Sequence, residues 1–437
     1  MLRLNFPFFL FLLFSLLCFA LSGQAAVHYV NNSGSPTCSD SGSGTLANPW
    51  CTISYGLSHI NGGDTLYVRT GTYNGDYIMT GPSGTAGAHT VLAAYPGDTP
   101  VLSGSGYSSG RFKISHGCSY IDFIGFIITN LNQGLYLDDD AGTSTACTNV
   151  TVQNITIHDV GQEGLAVRAG TTGSAPRNFL IENSTIYNTG RLGQSSNGEG
   201  MYIGNSGGTD TTNGVTVIGN TIHDTQDECI ELKGDSHDNI IDGNTLYNCI
   251  SPGSSYSNGG GAIEIDEPRN GSTNPNQIVR NNVIHDIANN AGITKVGIRA
   301  GTGAAIYNNI LYDIYSGYNC IQSNTANYPR LIYHNTVDCS SSKAIVDLGT
   351  SADIRNNIGP TGAYNLPTNN AYFVNEPKAN YHLVAGSAPI NAGADLTGIV
   401  PVDIEGTSRI VYAPPDLGAY EYHGGPAPPT NLKAIAQ

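Results

Sequence analysis

From about residue 120 the chain alternates apolar and polar positions in short runs that recur. One phrase reads NITIHD from Asn154, NSTIYN from Asn183, GNTIHD from Gly219, GNTLYN from Gly243, NNVIHD from Asn281, NNILYD from Asn308 and HNTVD from His334. A weaker copy, GFIITN, starts at Gly125. A few residues after each copy comes a second run: GLYLD, GLAVR, GMYIG, CIELK, AIEID, GIRAG, CIQSN and AIVDL. Period-two alternation over so few residues predicts strands, with one set of side chains inward and the next outward. Successive copies lie 24 to 38 residues apart. A unit of that size cannot bury an apolar face alone, so neighbours must stack. A leucine ladder is absent, and propeller blades would need longer, more regular units. The pattern therefore predicts an all-β, right-handed parallel β-helix of roughly ten coils with an N-terminal cap. The expected division is residues 27–117 for the cap and first coils, 118–400 for the central coils and 401–422 for the end of the helix. Residues 423–437 read as a Pro-rich, linker-like tail.

Stacking the second runs sorts their outward residues into columns. One holds Tyr136, Ala166, Tyr202, Glu231, Glu264, Arg299, Gln322 and Val346. A parallel column holds Asp138, Arg168, Gly204, Lys233, Asp266, Gly301 and Asn324. With Ile230 and Leu232 inward, Glu231 and Lys233 are expected to face solvent. Glu163, Glu199 and Glu228 sit just ahead of the runs, at a turn. Insertions at residues 193–198, 205–213, 251–261 and 268–276 flank the charged part of this stripe and are expected to wall a cleft. The same register pairs cysteines. Cys118 and Cys147 hold nearly equivalent places on adjacent coils, about 4.8 Å apart, within disulfide reach. Cys229 and Cys320 open second runs, while Cys249 and Cys339 close the next Asn phrase, which predicts Cys229–Cys249 and Cys320–Cys339. Cys38–Cys51 then pins the cap.

Composition narrows the setting. Arg3, a short apolar run and small residues at Gly23, Ala25 and Ala26 predict a secretory signal peptide over residues 1–26. Eight further cysteines suit an extracellular chain. The formal net charge of −16 repels nucleic acid and anionic membranes, so neither is an expected partner. A monomer is expected. No C-x-x-C zinc pair and no G-x-S-x-G elbow occur. His158, His223 and His285 recur at one coil position and read as a structural ladder with Asp159, Asp224 and Asp286.

The stripe carries the candidate chemistry. Glu199 and Glu228, one coil apart with Asp227 adjacent, disfavour joint ionisation unless a cation such as calcium neutralises them. Tyr202 and Tyr136 are candidate sugar-stacking surfaces, with Gln322 and Arg269 as further substrate-binding residues. A polysaccharide is the expected partner. Glu231 and Glu264 on adjacent coils, or Asp266, also have the spacing of a retaining glycosidase pair.

The segments VHYVNNSGS…GGDTLYVRTGTYNG (Val27 to Gly75) and PVDIEGTSRIVYAPPDLGAYEY (Pro401 to Tyr422) resemble the two ends of many secreted bacterial β-helix proteins, pectate lyases among them. QDECIEL (Gln226 to Leu232) is similar to the acidic calcium-binding run of one β-helix pectate lyase family. That resemblance implies Asp227, Glu228, Glu231 and Glu199 as calcium ligands. It also implies a catalytic Lys one coil further on, where this chain has Glu264. Glu231 and Lys233 ahead of DNIIDGNTLYNC resemble the chondroitinase B and alginate lyase group, which implies Lys233 as base and an Arg holding the uronate. Arg299 and Arg269 are the candidates for that Arg. The leading expectation is a secreted polysaccharide lyase acting by β-elimination on a uronate polymer. A glycoside hydrolase or epimerase, and a non-catalytic glycan-binding module, stand beside it.

Overall fold

The computed structural model describes residues 25–75, 77–115, 117–138, 147–168, 177–191, 197–205, 212–251, 260–268, 276–288, 295–315, 317–324, 329–339, 344–349, 351–409 and 414–423. The expected signal peptide, apart from Ala25 and Ala26, and nearly all of the expected linker-like tail lie outside them, as does Arg269.

The short apolar runs form three long sheets, of twelve, ten and twelve strands. Within each sheet every strand pairs in parallel with the equivalent strand one coil away. This is a parallel β-helix, as the repeat predicts. Inward residues of all three sheets merge into one core, including Phe112, Phe123, Ile157, Ile186, Ile222, Ile230, Leu232, Ile263 and Ile298. Helix Ile53–His59, N-capped by Thr52, packs Ile53 and Leu57 into the N-terminal end of that core. The last stacked strand is Leu366–Pro367. Beyond it Phe373, Tyr381, Leu417 and Tyr420 pack on Ile358.

The Asn phrase also holds a bend. Its first residue (Gly219, Gly243, Asn281, Asn308, His334, Asn356) has φ between +53° and +67°, a region that Gly and Asn enter with least strain. The next residue points inward. Asn220, Asn244, Asn282, Asn309, Asn335 and Asn357 are buried. Each of the first five donates its side-chain amide to the Oδ1 of the next, at 2.9–3.0 Å, and Asn357 donates to Asn365 at 3.1 Å. The ladder satisfies the polar groups that a buried bend would otherwise strand. Outside the same sheet, His158, Tyr187, His223, Tyr247, His285 and Tyr312 stack with ring centroids 4.5–5.0 Å apart. His158, His223 and His285 each bond the following Asp through Nδ1.

Disulfides join Cys38–Cys51, Cys229–Cys249 and Cys320–Cys339. The fourth expected bridge is not formed. Cys118 and Cys147 are buried on adjacent coils, but their Sγ atoms contact at 2.7 Å, beyond the roughly 2.05 Å of a bond. The register brought the sulfurs together without joining them. Among the described residues no helix is long and apolar enough to cross a membrane.

Candidate functional site

Four neighbouring strands of the ten-stranded sheet carry the charged stripe: Met201–Ile203, Ile230–Leu232, Gly261–Ile265 and Val296–Ala300. The expected column is observed rung by rung. Tyr136 pairs with Ala166, Ala166 with Tyr202, Tyr202 with Glu231, Glu231 with Glu264, Glu264 with Arg299, Arg299 with Gln322, and Gln322 with Val346. Its exposure differs from expectation. The column points away from the core, yet Glu231 is 3% and Glu264 4% exposed, and Tyr136 is fully buried. Rungs about 4.8 Å apart let long side chains cover one another. Tyr136 therefore offers no open face for a sugar. Tyr202 is 8% exposed, and the Lys233 ammonium lies 5.1 Å from its ring centre. Gln322 accepts from Asn319 at 2.6 Å, one rung past Arg299.

The turn acids close the site. Gly164 donates its amide to the Glu199 carbonyl and Gly200 to that of Glu228, so these turns stack coil on coil. Gly200 is required: a Cβ there would stand 2.6 Å from the Cys229 carbonyl. Glu199, Glu228 and Glu231 converge, each offering a carboxylate oxygen within 4.8 Å of the others, and all three are buried. Gly260 lies against Glu228, where a Cβ would overlap Oε1. Burial first, then the charges of Glu231 and Glu228, push Glu199 well above the ordinary carboxyl range. Burial, then Glu231 and Glu264, do the same to Glu228. Glu199 Oε2 is buried with no hydrogen-bond partner. Three buried carboxyls with an orphaned oxygen form a donor set that a hard divalent cation would satisfy. Asp227, expected among the ligands, is placed differently: its Oδ2 accepts the Gly198 amide at 2.9 Å, and it lies outside the converging trio. A buried turn amide needs an acceptor, and Asp227 supplies it.

Lys233 contacts Glu231 Oε1 and lies 3.2 Å from Asp266 Oδ2. Burial works to lower its pKa, but the two carboxylates outweigh burial and hold it above the ordinary lysine value. Burial also raises Glu231, against the pull of Lys233. Glu264 receives Arg299 Nη1 and the Gly261 amide, both at 3.0 Å. Burial pushes it up to about 8, with Arg299 opposing and Asp266 and Glu231 adding. So Lys233, Glu231, Glu264, Asp266 and Arg299 form one contiguous group, as the columns predict.

Two features escaped the sequence reading. Lys113 extends the column one rung before Tyr136, and FKI at 112–114 is a second run that could have revealed it. Lys295, buried at the turn beyond Gly260, donates to the Ile250 and Ala288 carbonyls. Burial pushes it down to about 8.

Residues 29–327 match a family model described as Pel9A-like, right handed beta helix region. No curated protein matches the sequence. Among solved structures, pectate lyase Pel9A superposes with TM-score 0.59 at 20% identity, covering 91% of this chain and 96% of that one. An alginate lyase from Paenibacillus sp. str. FPU-7 gives 0.57 at 18%, covering 75% and 99%. The GH136 lacto-N-biosidase from Eubacterium ramulus gives 0.53 at 11%, covering 75% and 68%. At these identities the likeness is one of fold.

Proposed function

The chain belongs to the Pel9A-like right-handed β-helix family, and from that premise we propose that it is a secreted polysaccharide lyase cleaving a uronate polymer by β-elimination. The observation that carries this reading is the buried trio Glu199, Glu228 and Glu231 standing beside Lys233 and Arg299. Glu199, Glu228 and Glu231 would hold calcium. Bound there, calcium would supply positive charge that offsets the trio and a uronate carboxylate. Asp227 fixes the turn that presents two of these ligands.

Lys233 takes the proton from the carbon bearing the uronate carboxylate. The electron pair left behind forms a double bond to the next ring carbon, whose bond to the glycosidic oxygen breaks. The departing sugar oxygen takes a proton from water and ends as a hydroxyl, and Lys233 returns its proton to solvent. Glu231 and Asp266 position Lys233 through their contacts with its ammonium. Arg299, anchored on Glu264, pairs with the substrate carboxylate and favours charge spreading onto it. Only the neutral amine can accept the proton, so turnover should rise toward alkaline pH.

A second reading is favoured by one observation. Glu231 and Glu264 are direct register partners, and burial pushes Glu264 up to about 8. That is the condition of a glycosidase general acid. Digestion of pectate, alginate and glycosaminoglycan, with and without chelator, separates the two. Ultraviolet absorbance of unsaturated ends, lost with chelator, is the result expected of the lyase. New reducing ends without that absorbance would assign a hydrolase, and no product from any glycan would leave a binding module.

A further inference from the structure

The residue after each rung of the aromatic stack keeps a rhythm of its own. Asp159, Asn188, Asp224, Asn248 and Asp286 hold one place on successive coils and alternate acid with amide. All have φ between +49° and +53°. The amides relieve the acids: Asn188 Nδ2 reaches Asp159 Oδ1 at 3.3 Å, and Asn248 Nδ2 reaches Asp224 Oδ1 at 3.1 Å. On the next coil the rhythm breaks. Asp313 follows Asp286, acid on acid. One coil further, Asp338 takes the place of an aromatic rung, as the register partner of Tyr312.

These departures line a groove. A cavity of about 730 Å³ lies between the coil turns that carry Asp313 and Asp338 and the C-terminal segments that carry Thr361, Thr368, Asn370 and Glu376. A second cavity of about 470 Å³ shares Asp313 and Ile314 with it and continues past Asp286 and Tyr315 to Asn248. Both have the size of ligand clefts, about 300–1,000 Å³. Together they run from the coil of Asn248 to that of Cys339, three rungs or about 14 Å at ordinary strand spacing. The walls are held in place. Tyr381 donates its hydroxyl to Asp338 Oδ2 at 3.0 Å, and Asn370 Nδ2 donates to Glu376 Oε2 at 3.1 Å. Tyr315 is 42% exposed. Tyr318 meets its ring edge-on at 5.0 Å, and a Cβ at Gly317 would stand 2.7 Å from its Cε1, so the ring is supported while much of it stays open.

The lining selects the ligand. Among the described residues it holds four acids, Asp286, Asp313, Asp338 and Glu376, and no Lys, Arg or His. A uronate would meet only like charge there. A bare ion is no better match, because the acids that converge to cation-ligand distance among the described residues are Glu199, Glu228 and Glu231. Carboxylates spread along a groove can accept from several separated O–H or N–H donors, and such charge-assisted bonds are the strong ones. The open Tyr315 ring adds an amphipathic surface beside them. We propose that this groove is a second glycan site, separate from the charged stripe, which binds a carboxylate-free saccharide, neutral or amine-bearing, along the helix axis. None of its described lining residues belongs to the stripe, and no bond is broken there.

The test is calorimetric binding of three pentasaccharides to the full wild-type chain: xylopentaose and cellopentaose, which are neutral, and the glucosamine pentamer, which carries amines. Saturable binding of at least one is expected. Binding of a neutral pentamer assigns recognition to hydroxyls, and binding of the glucosamine pentamer alone, weakened by salt, assigns it to amines. Asp313→Asn combined with Tyr315→Ala should weaken that binding by about tenfold or more, the worth of one hydrogen bond to a charged group. Asp159→Asn, at the same coil position five coils away, should leave it unchanged. If the double variant does not fold, Glu376→Gln on the opposite wall must show the loss. No binding by any of the three, or groove variants that bind like the wild type, overturns the site. Turnover is not read, so the lyase reading can fail and leave this site standing.

Discussion

Two stripes run along this β-helix on different sheets. One is the aromatic ladder His158, Tyr187, His223, Tyr247, His285 and Tyr312, in which every rung repeats the chemistry of its neighbours. The other runs Lys113, Tyr136, Ala166, Tyr202, Glu231, Glu264, Arg299 and Gln322, and its chemistry changes along the stripe. Both are produced by the same coil register. Stacking like on like stabilises a solenoid through nearest-neighbour contacts. The second stripe gives that up and gathers buried like charges instead, with raised carboxyl pKa values as the physical cost. A repeat fold that abandons its repeat at one place marks a site under a demand other than folding.

The sharpest way to break this comparison is Lys233→Ala. Loss of a positioned base should lower kcat by about 10²–10⁴-fold, read as the rate of unsaturated product per folded molecule. A variant retaining wild-type turnover would remove Lys233 from the chemistry. Glu228→Gln should have the next largest effect. Calcium should raise the melting temperature of the wild type, since a ligand that binds only the folded state stabilises it. In the variant the calcium concentration needed for the same rise should be at least tenfold higher. Without calcium the variant should melt above the wild type, because one buried like charge is gone. An equal calcium response in both would show that the trio is not a cation site.

How much of this was legible depended on which interaction set the answer. The column from Tyr136 to Val346 could be written down from the alternation, because strand register is local and the inward Ile and Leu fix it. The clips Cys229–Cys249 and Cys320–Cys339 followed from the same register. The interior ladder of the Asn phrase is not legible in any one copy, since nothing in one copy shows what stacks above it. Glu231 was expected at the surface and is buried: exposure is set by neighbouring rungs and not by the residue's own strand. Asp227 shares its sequence neighbourhood with Glu228, but the orphan amide of Gly198 on another coil decides where its carboxylate points.

pH sharpens the contrast at smaller scale. Burial pushes Glu264 up to about 8 and raises Glu199 and Glu228 above the ordinary glutamate value. A carboxyl raised on folding binds more protons folded than unfolded. Its contribution therefore favours the fold at low pH and is lost as pH rises from the ordinary glutamate value toward the folded one. In chelator, the melting temperature should fall between about pH 5 and pH 8, and the fall should be shallower in Glu228→Gln. A wild-type profile that is flat or rises over that window would mean that the acids are relieved by some other partner.

The aromatic ladder supplies the smallest effect and the control. Tyr247 stacks on His223 at 4.5 Å and on His285 at 5.0 Å. Replacing it with Ala should cost about 1–3 kcal/mol of stability, two ring pairs at the usual worth. The rate of product formation per folded molecule should not move, because no rung of the ladder belongs to the acid row. Measured together, a lowered melting temperature with unchanged kcat would show that the like-on-like stripe serves folding alone. A fall in kcat at constant folded fraction would mean that the two stripes are coupled through the core, and that uniform stacking is part of what holds Glu199, Glu228 and Glu231 in register.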